Sequence, residues 1–167
     1  MRLVCAVVWL VTLSLAGCGA GRAGYAVQLP ERPVEAEEAD ADSLAASLAR
    51  LGATAKPFEL TVTEQQATAY LRKNVQDWPV EAISVWIEPD GIYVMASVNS
   101  HRQTVAALLT VQAADELPQL GVSAASLNEK RLPRWLLDSL EKVVNDALTD
   151  MQLSWSIDQI ELLTGQA

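Results

Sequence analysis

The chain has 167 residues, and its 12 basic residues stand against 21 acidic ones, which gives a net charge of −9 at pH 7. Phosphate binding needs clustered Lys and Arg, so this charge argues against a nucleic-acid partner and against a domain lying flat on an anionic leaflet. The length allows one modest hydrophobic core.

The amino terminus has the layout of a secretory signal. Arg2 gives a basic start, an apolar run follows at residues 3–15, and small residues come next. The run is shorter than the roughly 20 residues that a membrane-spanning helix needs. It therefore predicts export rather than a spanning segment.

The tetrapeptide Leu15-Ala16-Gly17-Cys18 resembles a bacterial lipobox, at which a lipoprotein signal peptide is cut and the new terminal cysteine is acylated. We predict that residues 1–17 are the signal peptide and that Cys18 carries acyl chains. These chains would tether the protein to the cell membrane or outer membrane, on the extracytoplasmic side. The alternative is an ordinary signal peptide, cut after Ala20 or Ala23, which discards Cys18.

Residues 18–56 are predicted to contain the lipidated cysteine and an acidic, flexible tether. The segment carries Pro30, Pro33 and a run of Asp and Glu, a composition that buries too little apolar surface to offset the entropy of ordering. Residues 43–50 are expected to form a short helix within it, with leucines that pack on the domain.

Residues 57–165 are predicted to form a single α+β domain that opens with a helix. Thr63 and Gln66 have the spacing of a capping box, in which each side chain bonds the other residue's backbone N–H. The helix is expected to end before Pro79. Its inward side chains are predicted to be Ala67, Tyr70, Leu71 and Val75.

An antiparallel meander of strands is expected to follow the helix. Residues 80–88 and 92–98 alternate apolar and polar side chains on either side of Pro89-Asp90-Gly91, a turn sequence in which Gly91 can adopt a positive φ. Residues 104–113 alternate in the same way, and residues 119–127 form a weaker strand.

A long helix and a last strand are expected to complete the domain. Pro133 suits the first turn of a helix, and an apolar stripe at helical spacing runs from there to Met151. Asp138 and Lys142 lie one turn apart on its outer side, and residues 153–163 are expected to form the last strand. The predicted fold is α+β: an antiparallel meander sheet curled over a long amphipathic helix, with a short first helix.

The second face of the hairpin carries apolar side chains where a solvated sheet would be polar. These residues, with one from the third strand, are Trp86, Tyr93, Met95 and Leu108. One interpretation is that the tether helix or the first helix packs over this face. The other is that the four residues line a site for an apolar ligand.

The order of these elements resembles a known group. A Thr-Glu-Gln-Gln helix start at Thr63, a Pro-Asp-Gly-Ile hairpin at Pro89 and a strand leading into Leu132-Pro133 are followed by a long helix and a closing strand. This pattern is similar to the small envelope proteins of the LmeA-like and YpmS-like type, and more distantly to the tubular lipid-binding (BPI-like) superfamily. The resemblance covers most of residues 61–165. It implies a curved sheet that wraps a helix around an apolar groove, and binding of a lipid or another apolar ligand without catalysis.

The sequence favours neither catalysis nor a metal site. Cys18 is assigned to lipid, and His101, the single histidine, falls in a polar loop, so a Cys–His pair, a zinc site and a Ser-His-Asp triad are disfavoured. No cofactor is predicted. An enzyme with paired carboxylates is the remaining catalytic alternative, with Glu88 and Asp90 or Asp115 and Glu116 as candidates.

The residues therefore favour a non-catalytic envelope lipoprotein that holds a lipid or another apolar ligand. The alternative is a protein-interaction subunit of an envelope complex, which would use the same apolar surface for its partner. A ligand carrier needs a groove that opens to solvent, whereas an interaction module has a filled core and an exposed apolar patch.

Overall fold

The computed structural model describes residues 27–51, 59–75, 80–98, 103–114, 117–150 and 159–166, without the side chains of residues 51, 143, 144 and 147–150. Within these ranges the protein is α+β, with three helices and a five-stranded antiparallel sheet. The elements are α1 (Glu38–Leu51), α2 (Glu64–Asn74), β1 (Val80–Glu88), β2 (Gly91–Val98), β3 (Gln103–Ala114), β4 (Leu117–Leu127), β5 (Lys130–Arg131) and α3 (Arg134–Asp150).

The strands form the meander that the alternating pattern predicts, in the order β1-β2-β3-β4-β5. The β1–β2 hairpin has a two-residue turn, because Glu88 pairs with Gly91. Gly91 has a φ of 153°, and a Cβ at this position would lie 2.5 Å from the carbonyl oxygen of Leu109. Only glycine fits this conformation and this close approach.

Two irregularities shape the β4 side of the sheet. Leu108 pairs with Ala124 and Leu109 with Val122, so Ser123 is the extra residue of a β-bulge. The turn from β4 to β5 places Asn128 and Glu129 at φ values of 47° and 65°. Positive φ at both central residues is the type I′ geometry, which suits asparagine and disfavours glutamate.

One face of the sheet carries the hydrophobic core. Ile83, Val85 and Ile87 of β1 form a cluster with Ala67 and Leu71 of α2 and with its C-cap residue Val75. Leu136, Leu137 and Leu140 of α3 pack in a second cluster with the β3 and β4 side chains of the same face. Cross-strand pairs such as Ile92 with Leu109 join the two clusters, because paired residues point to one side of a sheet.

The start of α2 follows the sequence prediction. Thr63 adopts an extended conformation, its hydroxyl accepts from the Gln66 N–H at 3.2 Å, and the Gln66 side chain accepts from the Thr63 N–H at 3.0 Å. The predicted capping box is thus confirmed. The helix ends at Asn74, before Pro79.

The structure differs from the prediction of a flexible tether over the part of that segment that it describes. The helix begins at Glu38 instead of Ser43 and packs against α2, with Ala41 and Leu44 buried. The short apolar stripe is sufficient because it lies against a helix that is itself seated on the sheet. Cys18 and the first part of the segment lie outside the described residues.

The predicted last strand is wrong where it is described. Residues 159–163 do not form a strand, and Leu163 makes only an isolated bridge with Gln166; residues 153–158 lie outside the described part of the chain. The fifth strand is β5, which the tight turn after Leu127 folds back onto β4.

Asp138 and Lys142 lie on the outer side of α3 as predicted, and each forms an ion pair with another residue of the helix. Arg134 lies 2.8 Å from Asp138, and Lys142 lies 2.6 Å from Asp146. In each pair the basic residue bonds the acidic residue four positions further along α3.

Candidate functional site

The four residues predicted for ligand binding lie together on one face of the sheet, here called the open face. Trp86 pairs with Tyr93 and Tyr93 with Leu108, so three of them form one row across β1, β2 and β3. Met95 pairs with Ala106 in the next row of the same face. Both core helices, α2 and α3, pack on the opposite face.

The open face is not uniformly exposed. Trp86 is only 5% exposed, whereas Tyr93, Met95 and Leu108 are half-buried. An aromatic side chain this buried needs a partner for its N–H group. The indole Nε1 of Trp86 donates to the carbonyl oxygen of Arg32 at 2.8 Å, so the amino-terminal segment lies at this end of the face.

Arg32 connects that segment to two carboxylates. Its guanidinium donates to Glu88 at the end of β1 and to Glu64 in the first turn of α2. These hydrogen bonds, that to Glu88 first, raise the pKa of Arg32 above its ordinary value. Glu64 is 4% exposed and also accepts from the Ile87 N–H at 2.6 Å, so the arginine balances a buried charge.

The polar end of Tyr93 is satisfied within the hairpin. Its hydroxyl donates to Asp90 Oδ2 at 2.7 Å, on the exposed side of the turn. The hydrogen bond to Asp90 and then burial raise the pKa of the phenol above its ordinary value of 10.0. The ring therefore presents its apolar body to the open face while the hydroxyl is held at the turn.

The sequence analysis missed the polar residues that close the edge of β1. Thr68 is fully buried; its hydroxyl accepts from the Val85 N–H at 3.0 Å. Arg72 Nε donates to the Ile83 carbonyl at 2.8 Å. The available signal was the spacing of Glu64, Thr68 and Arg72, one helical turn apart beside the apolar stripe, which indicates a polar row facing a partner rather than solvent.

A polar cleft of about 280 Å³ lies at the other edge of the sheet, away from the four predicted residues. Its polar side chains are Thr110, Gln112, Gln119, Ser123, Arg134 and Glu141. Several are engaged within the protein: Gln112 donates to Gln119 at 3.0 Å, and Glu141 accepts from the Val122 N–H at 3.0 Å. The cleft can hold water or a small polar molecule, but its lining does not suit an acyl chain.

Glu88 and Asp90 are the candidate carboxylates that lie within the described residues. Glu88 accepts from Arg32 and from Thr164 at 3.2 Å, while Asp90 accepts from Tyr93, so this candidate carboxylate pair is bonded to different partners. Within the described ranges, no three His, Cys, Asp or Glu residues are grouped to hold a metal ion. His101, Asp115, Glu116 and Cys18 lie outside these ranges.

The geometry defines an α+β protein whose antiparallel sheet is packed by helices on one face and presents apolar side chains on the other. Comparison with family models, curated proteins and solved structures finds no match. None of the helices in the described part of the chain is long and apolar enough to cross a bilayer.

Proposed function

We propose that the protein is a non-catalytic envelope lipoprotein, acylated at Cys18, which binds a lipid or another apolar ligand on the open face. The observation that carries the proposal is the common placement of Trp86, Tyr93, Met95 and Leu108 on the face opposite the core helices. Aromatic and methionine side chains suit an apolar ligand of variable shape. The acyl chains on Cys18 would hold this face near a membrane that supplies such ligands.

The proposal includes a finer view of the fold. The sheet would curl over α3, whose apolar stripe begins with the core residues Leu136, Leu137 and Leu140. This arrangement, and the resemblance to the LmeA-like, YpmS-like and tubular lipid-binding proteins, belong to the proposal. The concave side of such a curl faces α3, so a ligand on the open face would lie along the outer side of the sheet.

One observation favours the alternative function, a protein-interaction subunit of an envelope complex. The cleft described above is polar and lies at the β4 edge, whereas the open face presents half-buried apolar side chains. An apolar surface patch is typical of a site for a protein partner. The experiment therefore has to separate lipid from protein at the same residues.

The test is photo-crosslinking of the full chain in vesicles of phosphatidylethanolamine and phosphatidylglycerol that contain a phospholipid with a diazirine on its acyl chain. We expect labelled peptides from β2 and β3. Met95→Glu, which places a charge on the open face, should reduce their labelling by about tenfold, since burying a charge against an acyl chain is costly. Trp135→Glu is the matched control. Trp135 is 58% exposed on α3, and α3 packs on the opposite face of the sheet.

Equal labelling of all surfaces, or labelling that Met95→Glu leaves unchanged, would overturn lipid binding at the open face. A photoreactive amino acid at position 95, crosslinked in cells, then tests the alternative, for which we expect one reproducible protein adduct. Lipidation is tested separately by the mass of the amino-terminal peptide, which should carry acyl chains in the wild type and lack them in Cys18→Ser.

A further inference from the structure

Residues 31–37, here called the strap, lie ahead of α1 and alternate in burial. Arg32, Val34 and Ala36 are half-buried, while the residues between them are exposed. A period of two is typical of a chain that rests on a surface with every second side chain turned inward. The strap therefore lies on the domain although it belongs to no helix or strand.

Arg32 fixes the strap to the Trp86 end of the open face. Its guanidinium contacts Glu64 and Glu88, and its carbonyl oxygen accepts from the Trp86 indole. The strap therefore contacts Trp86, which is the most buried of the four predicted residues of the open face. The strap thus occupies one end of the surface that the proposed function assigns to a ligand.

The strap belongs to no strand and is held through Arg32, whereas α1 also buries Ala41 and Leu44 against α2. Arg32 is 37% exposed, and the pairs of Lys73 with Asp42 and of Gln66 with Ser43 are exposed. The exposed pairs of α1 contribute little to stability, whereas the pair of Arg32 with the buried Glu64 is the stronger contact and therefore acts as the latch. A segment held by such contacts can open locally at lower free energy than the strand ladder beneath it.

We propose that the strap is a displaceable cover of the Trp86 end of the open face, latched by Arg32, and that the ligand enters by displacing it. The identity of the ligand as a lipid rests on the proposed function, but the cover itself rests on the contacts of Arg32. Displacement exposes the Trp86 ring and extends the apolar row formed with Tyr93 and Leu108.

The test is hydrogen–deuterium exchange of residues 31–37 in the full chain, with the same vesicles and photoreactive phospholipid as above. Arg32→Met keeps the apolar stem and removes the latch, so we expect exchange in the strap to rise by about tenfold, and lipid labelling of β2 and β3 to increase. Arg32→Lys keeps the charge but loses the simultaneous contact with both carboxylates. Its exchange rate and its lipid labelling should therefore lie between those of the wild type and of Arg32→Met. Arg131→Met is the matched control at an exposed arginine.

The outcomes separate this proposal from the proposed function. Unchanged exchange in a folded Arg32→Met protein, verified by circular dichroism, would overturn the latch. Faster exchange with equal or weaker lipid labelling than the wild type would overturn the cover, since the strap would then not obstruct the ligand. Faster exchange with no labelling of either protein would leave the latch supported, and would overturn both the lipid function and ligand entry by displacement.

Discussion

The two outer edges of the sheet are both closed by side chains of a helix, but at different depths. At β1, Thr68 of α2 accepts from the Val85 N–H at 3.0 Å and is fully buried. At β4, the Asn145 side chain accepts from the Leu120 N–H at 2.9 Å, donates to the Leu120 carbonyl at 2.7 Å and is only half-buried. In both cases a side chain takes the place of a neighbouring strand.

The difference indicates which closure stabilises the fold. A buried backbone group that loses its partner cannot turn to water, whereas a half-buried group can. The β1 edge should therefore be tied to the free energy of unfolding, while the β4 edge mainly keeps a free strand from pairing with another chain. The strap and the open face adjoin the first edge, and the polar cleft lies at the second.

The largest effect is expected from Thr68→Val. This change keeps the volume of the side chain and replaces the hydroxyl by a methyl group, so the buried Val85 N–H is left without an acceptor. We expect the free energy of unfolding to fall by about 2 kcal/mol, within the usual cost of an unsatisfied buried group. Equilibrium urea unfolding followed by circular dichroism measures it.

Asn145→Ala is the matched change at the other edge. It removes both hydrogen bonds to Leu120, but water can replace them, so we expect a loss of less than about 1 kcal/mol. Equal losses at Thr68 and Asn145 would contradict the distinction between the two edges. A larger loss at Asn145 would reverse it.

The same contrast shows how far sequence reasoning reaches in this protein. The β1–β2 hairpin and the capping box of α2 depend on local patterns, namely alternation, a Pro-Asp-Gly turn and a Thr–Gln spacing, and both were predictable. The common face of Trp86, Tyr93 and Met95 followed from the same alternation. Local patterns carry this information because they fix side-chain direction before any tertiary contact forms.

The rest depends on contacts between distant segments. The contact of Arg32 with Glu64 and Glu88 joins residues that lie 32 and 56 positions apart, and no local pattern marks it. An acidic, proline-containing segment is typical of a tether, yet it packs here because one arginine meets a buried carboxylate. The predicted last strand is absent at residues 159–163 for a related reason, since alternation alone does not supply a neighbour with which to pair.

A smaller effect is expected at the turn that folds β5 onto the β4 edge. Glu129 has a φ of 65°, and this conformation costs a residue that carries a Cβ about 1–2 kcal/mol. Glycine avoids that cost, but it loses part of the gain because its backbone loses more conformational entropy on folding. Glu129→Gly should therefore stabilise the protein by about 0.5–1 kcal/mol in urea unfolding.

The neighbouring asparagine gives the control for this turn. Asn128 donates its N–H to the Thr104 carbonyl and accepts from the Thr104 N–H with its side chain, both at 2.8 Å. Asn128→Gly loses the side-chain bond and should not stabilise. If Glu129→Gly also fails to stabilise the protein, backbone strain in this turn does not limit its stability.

The smallest effect is expected at the exposed contact of Tyr93 with Asp90, in the turn that follows β1. Because Asp90 raises the pKa of the Tyr93 phenol, the contact stabilises the fold while the phenol is protonated, and this contribution is lost as the pH rises through the raised pKa. Asp90→Asn should lower the pKa towards 10.0 and leave the urea midpoint at neutral pH nearly unchanged. Tyrosinate absorbance during an alkaline titration, with Tyr93→Phe to assign the signal, measures the shift.

If Asp90→Asn lowers the free energy of unfolding at neutral pH as much as Thr68→Val does, exposed contacts near β1 matter as much as buried ones. That result would remove the basis of the comparison between the two edges.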